Sequence, residues 1–394
     1  MKTIPLRKAA TFSGGGTPSR SKPEYFGGGI PWAKTTDLNN GPVLETEETL
    51  SDLGLKKSSC SLIPANAVLV AMYGGFRQIG RTGLLAQPSA INQALTAILP
   101  DTARLNPMFL LEWLNFHVGY WKRLAGSSRK DPNITKKDVA DFPIPVYSID
   151  YQESVVALLK QWDISIQIAT MLVNVLASRR KALMQQLLTG HKRLKGFKDT
   201  WQSQRLGTLL KRVTRKNVDG CARALTVSAQ RGLVEQGSYF SKQMAAEENE
   251  HYLLIQRGEF AYNRSAAAGY PFGAIKRLDR FDEGIVSTLC LCFGITDTTQ
   301  TDTDFLTAVF EGGVLNRQLR AIAHEGARSH GLLNVTSSDF FKLRLNMPPP
   351  TEQAAIAQVL NAADHALQLQ QQQLAALQQQ KRALMQQLLA GERP

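Results

Sequence analysis

Residues 180–190 read RKALMQQLLTG and residues 381–391 read KRALMQQLLAG. The shared ALMQQLL stands at 182–188 and again at 383–389, an offset of 201 residues. Solenoid proteins repeat a unit of about 20–50 residues, so this period indicates two half-proteins in tandem. The same offset pairs further residues without a gap, among them Asp138 with Asp339, Gln152 with Gln353, and Asp163 with Asp364.

Apolar residues recur in both repeated segments at alternating spacings of four and three. This heptad spacing predicts a long helix whose seam packs against another helix. A basic residue interrupts both seams at the same position, Arg180 and Lys381. The seam positions include Leu159, Trp162, Ile166, Val173, Leu176, Leu183 and Leu187 in the first segment, and Leu360, Leu367, Leu374, Leu377, Leu384 and Leu388 in the second.

Two matching seams in one chain predict an antiparallel intramolecular coiled coil. Two alternatives stay open: each helix packs on its own globular region, or on a second copy of the chain. The fold class we expect is α+β, with two globular mixed α/β regions separated by the two long helices in a pseudo-twofold arrangement. The expected boundaries are 1–150 for the first region, 151–191 for the central helix, 192–350 for the second region and 351–394 for the C-terminal helix.

The bulk composition is that of an ordinary soluble globular protein, with 43% hydrophobic and 20% charged residues in 394. No window approaches 18 consecutive apolar residues and the N-terminus lacks an apolar signal region, so we expect a cytoplasmic chain without a membrane span. Neither the four cysteines nor the six histidines show metal-ligand spacing. We therefore expect no metal, no bound cofactor and free thiols.

A net charge of +13, held mostly by the two globular regions, favours a polyanionic partner such as DNA. Basic and amide side chains in glycine-containing loops are the candidates for contact with bases or phosphates, since such loops let the backbone approach closely. Any single one of these charges could equally be an ordinary solvated surface group. The candidates are Arg20, Lys22, Lys34, Arg77, Gln78, Arg81, Arg129, Lys130, Asn263, Arg264, Lys276, Arg277 and Arg328.

The motifs of the common catalytic sites are absent from the sequence. It has no phosphate-binding loop, no dinucleotide-binding glycine fingerprint and no Glu followed two residues later by Lys, as in many nuclease cores. The Asn-Pro-Pro-aromatic tetrapeptide of amino-methyltransferases is absent too. We therefore predict no catalytic residue. The remaining enzymatic alternative is an unrecognised site around Asp131, His324 and His330.

The chain resembles the specificity subunits of bacterial type I restriction-modification enzymes. The residues that carry the resemblance are Gly15-Gly16-Thr17-Pro18, Ile30-Pro31-Trp32, Asp37-Leu38 and the two helix ends at 180–190 and 381–391. Residues 232–265 also resemble one recurring class of target recognition domain. The resemblance covers essentially the whole chain.

The resemblance implies that each globular region is a target recognition domain reading one half of a bipartite DNA site, and that the helices form the spacer. It also implies a non-catalytic chain. Two methyltransferase subunits using S-adenosylmethionine to methylate adenine N6, and two restriction subunits using ATP and Mg, would supply the chemistry. The main alternative is a bivalent DNA-binding scaffold without a methyltransferase partner.

Overall fold

A computed structural model describes residues 2–126, 133–218, 220–239, 251–325 and 333–390. The chain divides into two compact units, unit 1 (Met1–Ala169 and Gln373–Pro394) and unit 2 (Thr170–Gln372). Each unit therefore combines one globular region with one half of each long helix. The sequence analysis divided the chain into four consecutive segments. The two compact units divide it differently, because each unit contains a globular region together with the helix halves that pack on it.

The strands of unit 1 form a five-stranded sheet, a three-stranded sheet and a two-stranded sheet. Their orders are β2-β9-β6-β7-β4, β5-β3-β8 and β1-β10. The strands are β1 (Thr3–Pro5), β2 (Ala10–Gly14), β3 (Phe26–Ala33), β4 (Gly41–Val43), β5 (Glu48–Leu50), β6 (Val68–Ala71), β7 (Thr82–Leu85), β8 (Ala90–Ile91), β9 (Leu95–Pro100) and β10 (Pro143–Pro145).

Most helices of unit 1 follow the strands of the five-stranded sheet in the sequence. They are α1 (Asp52–Lys56), α2 (Pro107–Phe116), α3 (Val118–Gly126), α4 (Lys136–Ala140) and the first half of α5 (Ile149–Leu187). Helices α2 and α3 are separated by a break at His117. Trp121 stacks on Phe142 with ring centroids 4.5 Å apart, and both are buried between this layer and the sheet.

Among its described residues, unit 2 is built on a four-stranded sheet of order β12-β19-β16-β17, with four two-stranded sheets, β11-β22, β13-β14, β15-β18 and β20-β21. The strands are β11 (Gln202–Arg205), β12 (Leu210–Arg212), β13 (Leu225–Ser228), β14 (Gly232–Glu235), β15 (Leu253–Gln256), β16 (Phe260–Asn263), β17 (Ala274–Arg277), β18 (Glu283–Val286), β19 (Leu291–Ile295), β20 (His324–Glu325), β21 (Leu333–Asn334) and β22 (Arg344–Met347).

The helices of unit 2 follow an order like that of unit 1. They are α6 (Leu206–Leu209), α7 (Gln236–Tyr239), α8 (Thr303–Glu311), α9 (Asn316–Ile322), α10 (Ser337–Lys342), the second half of α5 and the first half of α11 (Pro350–Ala390). A second break separates α8 from α9 at Gly312 and Gly313, where the positive φ of Gly313 (66°) suits glycine. Phe260, Phe293 and Phe340 form the centre of the core, which also takes in the adjoining ends of both long helices.

Both units close in the same way. Strands β1 and β10 pair antiparallel in unit 1, and β11 and β22 pair antiparallel in unit 2. Just before each closing strand stands a short helix capped by a threonine and an aspartate. Thr135 accepts a hydrogen bond from the Asp138 amide in unit 1, and Thr336 does so from the Asp339 amide in unit 2. These residues are related by the 201-residue offset, so the repeat extends from sequence to local structure.

The two long helices pack antiparallel within each unit. In unit 1, the Tyr151 hydroxyl donates to the Leu388 carbonyl and Lys381 bonds Asp163 at 2.6 Å, so α5 and α11 run in opposite directions. In unit 2, Arg180 pairs with Asp364. The predicted seam positions are buried or half-buried in both helices, while most of their neighbours are exposed. The predicted antiparallel coiled coil is therefore confirmed.

Helix α5 is also long and apolar enough, by length and composition, to cross a membrane, and among the described residues it is the one such helix. Its best 18-residue window has a mean hydropathy of 1.2. Two features of the helix account for this composition. Its seam residues pack against α11, and a second set of apolar residues, including Ile164 and Ile168, is exposed on its surface.

Candidate nucleic-acid interface

A buried glutamine near the start of each long helix ties that helix to its own globular region. In unit 1, Gln152 accepts from the Asn106 amide at 2.9 Å and donates to the carbonyls of Arg104 and Tyr147, both at 3.0 Å. Both glutamines are 1% exposed. In unit 2, Gln353 accepts from the Asp302 amide at 2.8 Å and donates to the carbonyls of Gln300 and Pro348 at 3.1 and 2.8 Å. These two hubs orient the globular regions on the helices.

A cross-helix ion pair repeats with the same offset. Lys381 of α11 bonds Asp163 of α5 in unit 1, and Arg180 of α5 bonds Asp364 of α11 in unit 2. Each pair thus contains one residue from each helix, with the roles of the helices exchanged. The basic residues that interrupt the heptad seams are therefore each paired with an aspartate of the opposite helix.

The first basic loop of unit 1 is organised around Glu48. Arg20 bonds Glu48 at 2.5 and 3.1 Å, and its guanidinium lies over the rings of Phe26 and Trp32. Lys34 bonds Glu48 at 2.7 Å and also pairs with Glu47. The hydrogen bonds from Arg20 and then Lys34 lower the pKa of Glu48 to about 2.

These contacts separate the candidates of this loop. Lys34 is largely buried and holds two carboxylates, so its role in the free protein is structural. The Arg20 side chain is 57% exposed, although paired. Lys22 is exposed on the same loop. Of the three, Lys22 and Arg20 are placed to reach a polyanion.

The loop between β6 and β7 has an unusual backbone. Gly74, Gly75 and Gly80 have φ values of 115°, 93° and 76°, a region that favours glycine. Arg77 is exposed at the tip, whereas the Arg81 guanidinium donates to the Gln78 amide oxygen at 2.9 Å. The loop therefore presents Arg77 outward and holds Gln78 and Arg81 together at its base.

Residues that the sequence analysis did not select extend this loop surface. Tyr73 and Phe76 are exposed aromatic side chains, and the Lys122 ammonium lies 5.8 Å from the centre of the Phe76 ring. Exposed aromatics beside cations are the groups on which nucleobases stack. The signal was present in the sequence, because an aromatic residue stands within the glycine-rich stretch MYGGFRQIGRTG beside Arg77.

The corresponding candidates of unit 2 are placed differently from expectation. The expectation of a loop is wrong for Lys276 and Arg277, since both lie on strand β17, and for Asn263, which is the last residue of strand β16. Lys276 is only 8% exposed and pairs with Glu311 of α8. Its ammonium also donates to the Tyr270 hydroxyl at 3.0 Å, and that hydroxyl bonds Glu311 at 2.5 Å. Burial, and then the bond to Glu311, raise the pKa of Tyr270.

The other candidates of unit 2 are also engaged. Arg277 bonds Asp279 at 2.5 Å and Asp304 at 2.7 Å, which fixes β17 to α8. Arg264 donates to the carbonyls of Val335 and Leu289 at 2.9 and 2.7 Å. The Asn263 side chain caps the turn by accepting from the Ser265 amide at 3.1 Å. These residues shape the surface of unit 2 more than they project from it.

Three candidates, Arg129, Lys130 and Arg328, lie outside the described residues, as do Asp131 and His330 of the enzymatic alternative. Within the described ranges, no group of three or more His, Cys, Asp or Glu side chains is arranged to hold a metal ion. The four cysteines are free thiols, and burial raises the pKa of Cys290 to about 11.

Comparison with known proteins supports the resemblance inferred from the sequence. Residues 1–177 match the family model described as the type I restriction modification DNA specificity domain. The chain is 27% identical over 172 residues to the specificity subunit of the type I restriction enzyme EcoR124I/EcoR124II of Escherichia coli. That match covers 40% of this chain and 40% of the length of the relative.

Solved structures extend the likeness of fold to nearly the whole chain. The type I restriction-modification S subunit from M. genitalium has a TM-score of 0.56 at 12% identity, covering 98% of this chain and 95% of that chain. A second solved chain comes from a structure on complex assembly and conformational transition of the type I R-M system. It has a TM-score of 0.60 at 15% identity, and the match covers 98% of this chain and 97% of that chain. Residues 1–177 therefore resemble the type I restriction modification DNA specificity domain, and the chain as a whole has the fold of the solved specificity subunits.

Proposed function

We propose that the protein is the specificity subunit of a type I restriction-modification system. Each globular unit reads one half of a bipartite DNA site, and the helix pair fixes the gap between the half-sites. The observation that carries the proposal is the repetition of the glutamine hubs and cross-helix ion pairs at one offset, around two globular regions that differ in their interiors. A helix pair that holds two different globular regions through equivalent contacts suits an asymmetric, bipartite DNA site.

The chain acts in this proposal without catalytic residues of its own. Two methyltransferase subunits bind it and use S-adenosylmethionine to methylate adenine N6. Two restriction subunits supply the ATP- and Mg-dependent cleavage, and the complex works in the cytoplasm. The exposed apolar residues Ile164 and Ile168 of α5 support such a partner, since exposed apolar faces mark protein interaction sites.

Base and phosphate contacts are proposed for the exposed candidates. In unit 1 these are Lys22, Arg20 and Arg77, with the aromatic side chains of Tyr73 and Phe76 beside them. In unit 2, Arg264 and Arg277 are proposed to hold the reading surface in shape through their carbonyl and carboxylate partners. Phosphate contacts would make the affinity fall with salt, while base contacts would set the sequence.

The spacer role can be tested by lengthening the frame. One helical turn of four residues is inserted after Ile168 and, to keep both helices matched, after Leu369. Four residues add about 6 Å, close to two base pairs of B-DNA. In the presence of the proposed methyltransferase partner, the methylated site should keep both half-sites and gain about two base pairs in its gap, read by sequencing methylated fragments.

Two outcomes would contradict the proposal. If the half-sites themselves changed, the units would not be independent readers. A different result would be that the lengthened chain binds DNA with an unchanged gap and that the wild-type chain binds no methyltransferase. The chain would then be better described as a bivalent DNA-binding scaffold without a methyltransferase partner. A chain with four residues inserted at Gly196, outside both helices, is the matched control and should keep the original gap.

A further inference from the structure

The loop between β6 and β7 of unit 1 is supported by packing at both of its ends. Gly80 is buried against Trp121, so closely that a Cβ atom at Gly80 would lie 2.7 Å from the indole ring. Ile79 is 1% exposed and belongs to the same core cluster as Trp121. At the other end, a Cβ atom at Gly74 would lie 3.5 Å from the Thr35 hydroxyl. The loop therefore rests on the core at one end and beside Thr35 at the other.

Backbone hydrogen bonds fix the shape of the loop tip. The amides of Gln78 and Ile79 both donate to the Gly75 carbonyl, at 2.9 and 3.2 Å. The two residues enclosed by this turn, Phe76 and Arg77, are exposed, Phe76 to 50%. The loop therefore presents these two side chains in a preformed shape, and it loses little conformational entropy when it binds a partner.

Two cations accompany the exposed ring of Phe76. Arg77 is its neighbour in the chain, and the Lys122 ammonium of α3 lies over the ring, 5.8 Å from its centre. Lys122 is exposed as well. A single exposed apolar side chain is ordinary on a protein surface. A ring that shares a preformed tip with two exposed cations instead faces the polyanion that those cations attract.

The corresponding loop of unit 2 keeps its aromatic side chains for itself. Strands β16 and β17 follow β19 in the unit 2 sheet as β6 and β7 follow β9 in the unit 1 sheet. Between β16 and β17, the Tyr270 hydroxyl bonds Glu311 at 2.5 Å, and Phe272 packs against the core. Both residues are half-buried. Of these two loops, the one in unit 1 is therefore the one that presents an exposed aromatic side chain.

Duplex DNA offers an apolar side chain few partners. The faces of the bases are covered by neighbouring base pairs, and the base edges in the major groove carry one apolar group, the 5-methyl group of thymine. The major groove is about 12 Å wide and admits a two-stranded β-ribbon. Strands β6 and β7 pair antiparallel and form such a ribbon, with Phe76 at its tip.

We propose that Phe76 recognises thymine in the half-site bound by unit 1, by packing its ring against the 5-methyl group in the major groove, while Lys122 binds an adjacent phosphate. The inference rests on the proposed function and deepens it, because it names the residue and the chemical group that it recognises. Burying one methyl group against an apolar ring changes the affinity by about fourfold. The protein should therefore prefer thymine to uracil, which lacks that methyl group, by about this factor.

The test uses the full chain with the proposed methyltransferase partner and DNA carrying the bipartite site that this complex selects. Each thymine of the site is replaced in turn by uracil, and binding is measured by fluorescence anisotropy. The wild type should bind one of the substituted DNAs about fourfold more weakly, whereas Phe76→Ala should bind it as well as the thymine DNA. Phe76→Leu keeps an apolar tip and should retain the preference. Leu44→Ala, at a residue of unit 1 that is 67% exposed, is the matched control and should discriminate as the wild type does.

The phosphate contact is tested separately with Lys122→Met. This variant should bind thymine and uracil DNA more weakly by the same factor, and the slope of log affinity against log salt should become smaller by about one. An unchanged slope would overturn the phosphate contact of Lys122.

Two results would overturn the thymine contact and leave the proposed function standing. One is that the wild type discriminates against uracil at no position of the site. The other is a discrimination that Phe76→Ala leaves unchanged, since another residue would then recognise the methyl group. A wild-type complex that selects no bipartite site would instead contradict the proposed function, and the thymine contact with it.

Discussion

In each unit, the halves of α5 and α11 with their glutamine hub and cross-helix ion pair form what we call the frame. The frames of unit 1 and unit 2 use the same contacts, whereas their globular interiors do not. Gln152 and Gln353 make the same three kinds of bond, and a cross-helix ion pair recurs at equivalent positions in the two units. Beside that pair, unit 1 has an open cavity with Glu112, and unit 2 has the Lys276–Glu311 pair. The comparison teaches that the repeat is strict in the contacts that tie the helices together and to the globular regions, and loose in the globular interiors.

The largest expected effect comes from removing a frame contact. Gln353→Leu leaves one amide and two carbonyls near the start of α11 without their partners, which should lower the free energy of unfolding of unit 2 by roughly 3 kcal/mol. Gln152→Leu should do the same to unit 1. Urea unfolding with hydrogen exchange, resolved by peptide, measures both. If one substitution lowered the hydrogen-exchange protection of both units equally, the two units would not be stabilised independently.

A contact specific to unit 2 should have the next largest effect. Lys276→Met leaves Glu311, whose side chain is 22% exposed, without its cation, at a cost of roughly 2 kcal/mol. The double variant with Glu311→Gln should recover much of that loss, as measured by thermal unfolding. If Lys276 served DNA contact and not packing, its substitution would weaken DNA binding and leave stability unchanged.

The cross-helix ion pairs should contribute less. Double-mutant cycles on Asp163 with Lys381, and on Asp364 with Arg180, should give coupling energies of about 0.5–1 kcal/mol, because both pairs are partly exposed. The Arg180 pair should be the stronger, since its guanidinium contacts both carboxylate oxygens. A coupling near zero in one unit alone would break the equivalence of the two frames.

The smallest effect should be the pH dependence that Glu48 gives to unit 1. The pKa of Glu48 is lowered to about 2 from an ordinary value of 4.5. A lowered pKa stabilises the fold at pH values above 4.5, and this contribution is lost as the pH falls from 4.5 towards 2. The stability advantage of the wild type over Glu48→Gln should shrink over that range in unit 1 peptides. If the stability advantage of the wild type over Glu48→Gln grew as the pH fell, the pKa of Glu48 would not be lowered in the folded protein.

Much of the frame could be predicted from the sequence, because heptad spacing and an exact repeat report directly on helix packing. Arg180 and Lys381 stood out as interruptions of the seams, and their partners, Asp163 and Asp364, are themselves related by the repeat. The glutamine hubs could have been found by the same signal, since a polar residue repeats at the start of each apolar seam.

The candidate interface was less accessible to sequence reasoning. Lys276 and Arg277 are basic residues near glycines, as a DNA-contacting loop would have, yet their partners Glu311 and Asp304 come from a helix about 30 residues further on. Such pairing depends on tertiary structure and leaves no local pattern. Phe76 was overlooked for another reason, since charge and not aromatic character was used to select residues in its loop.

The account is tested most directly by single-molecule methylome sequencing of a host that carries this chain with the proposed methyltransferase partner, and of the same host lacking the gene for this chain. The account predicts that one bipartite, adenine-methylated motif with a fixed gap is lost on deletion, and that its two halves differ as the two globular units do. Identical methylomes, in a host whose methyltransferase is active, would contradict the claim that this chain selects the methylated site.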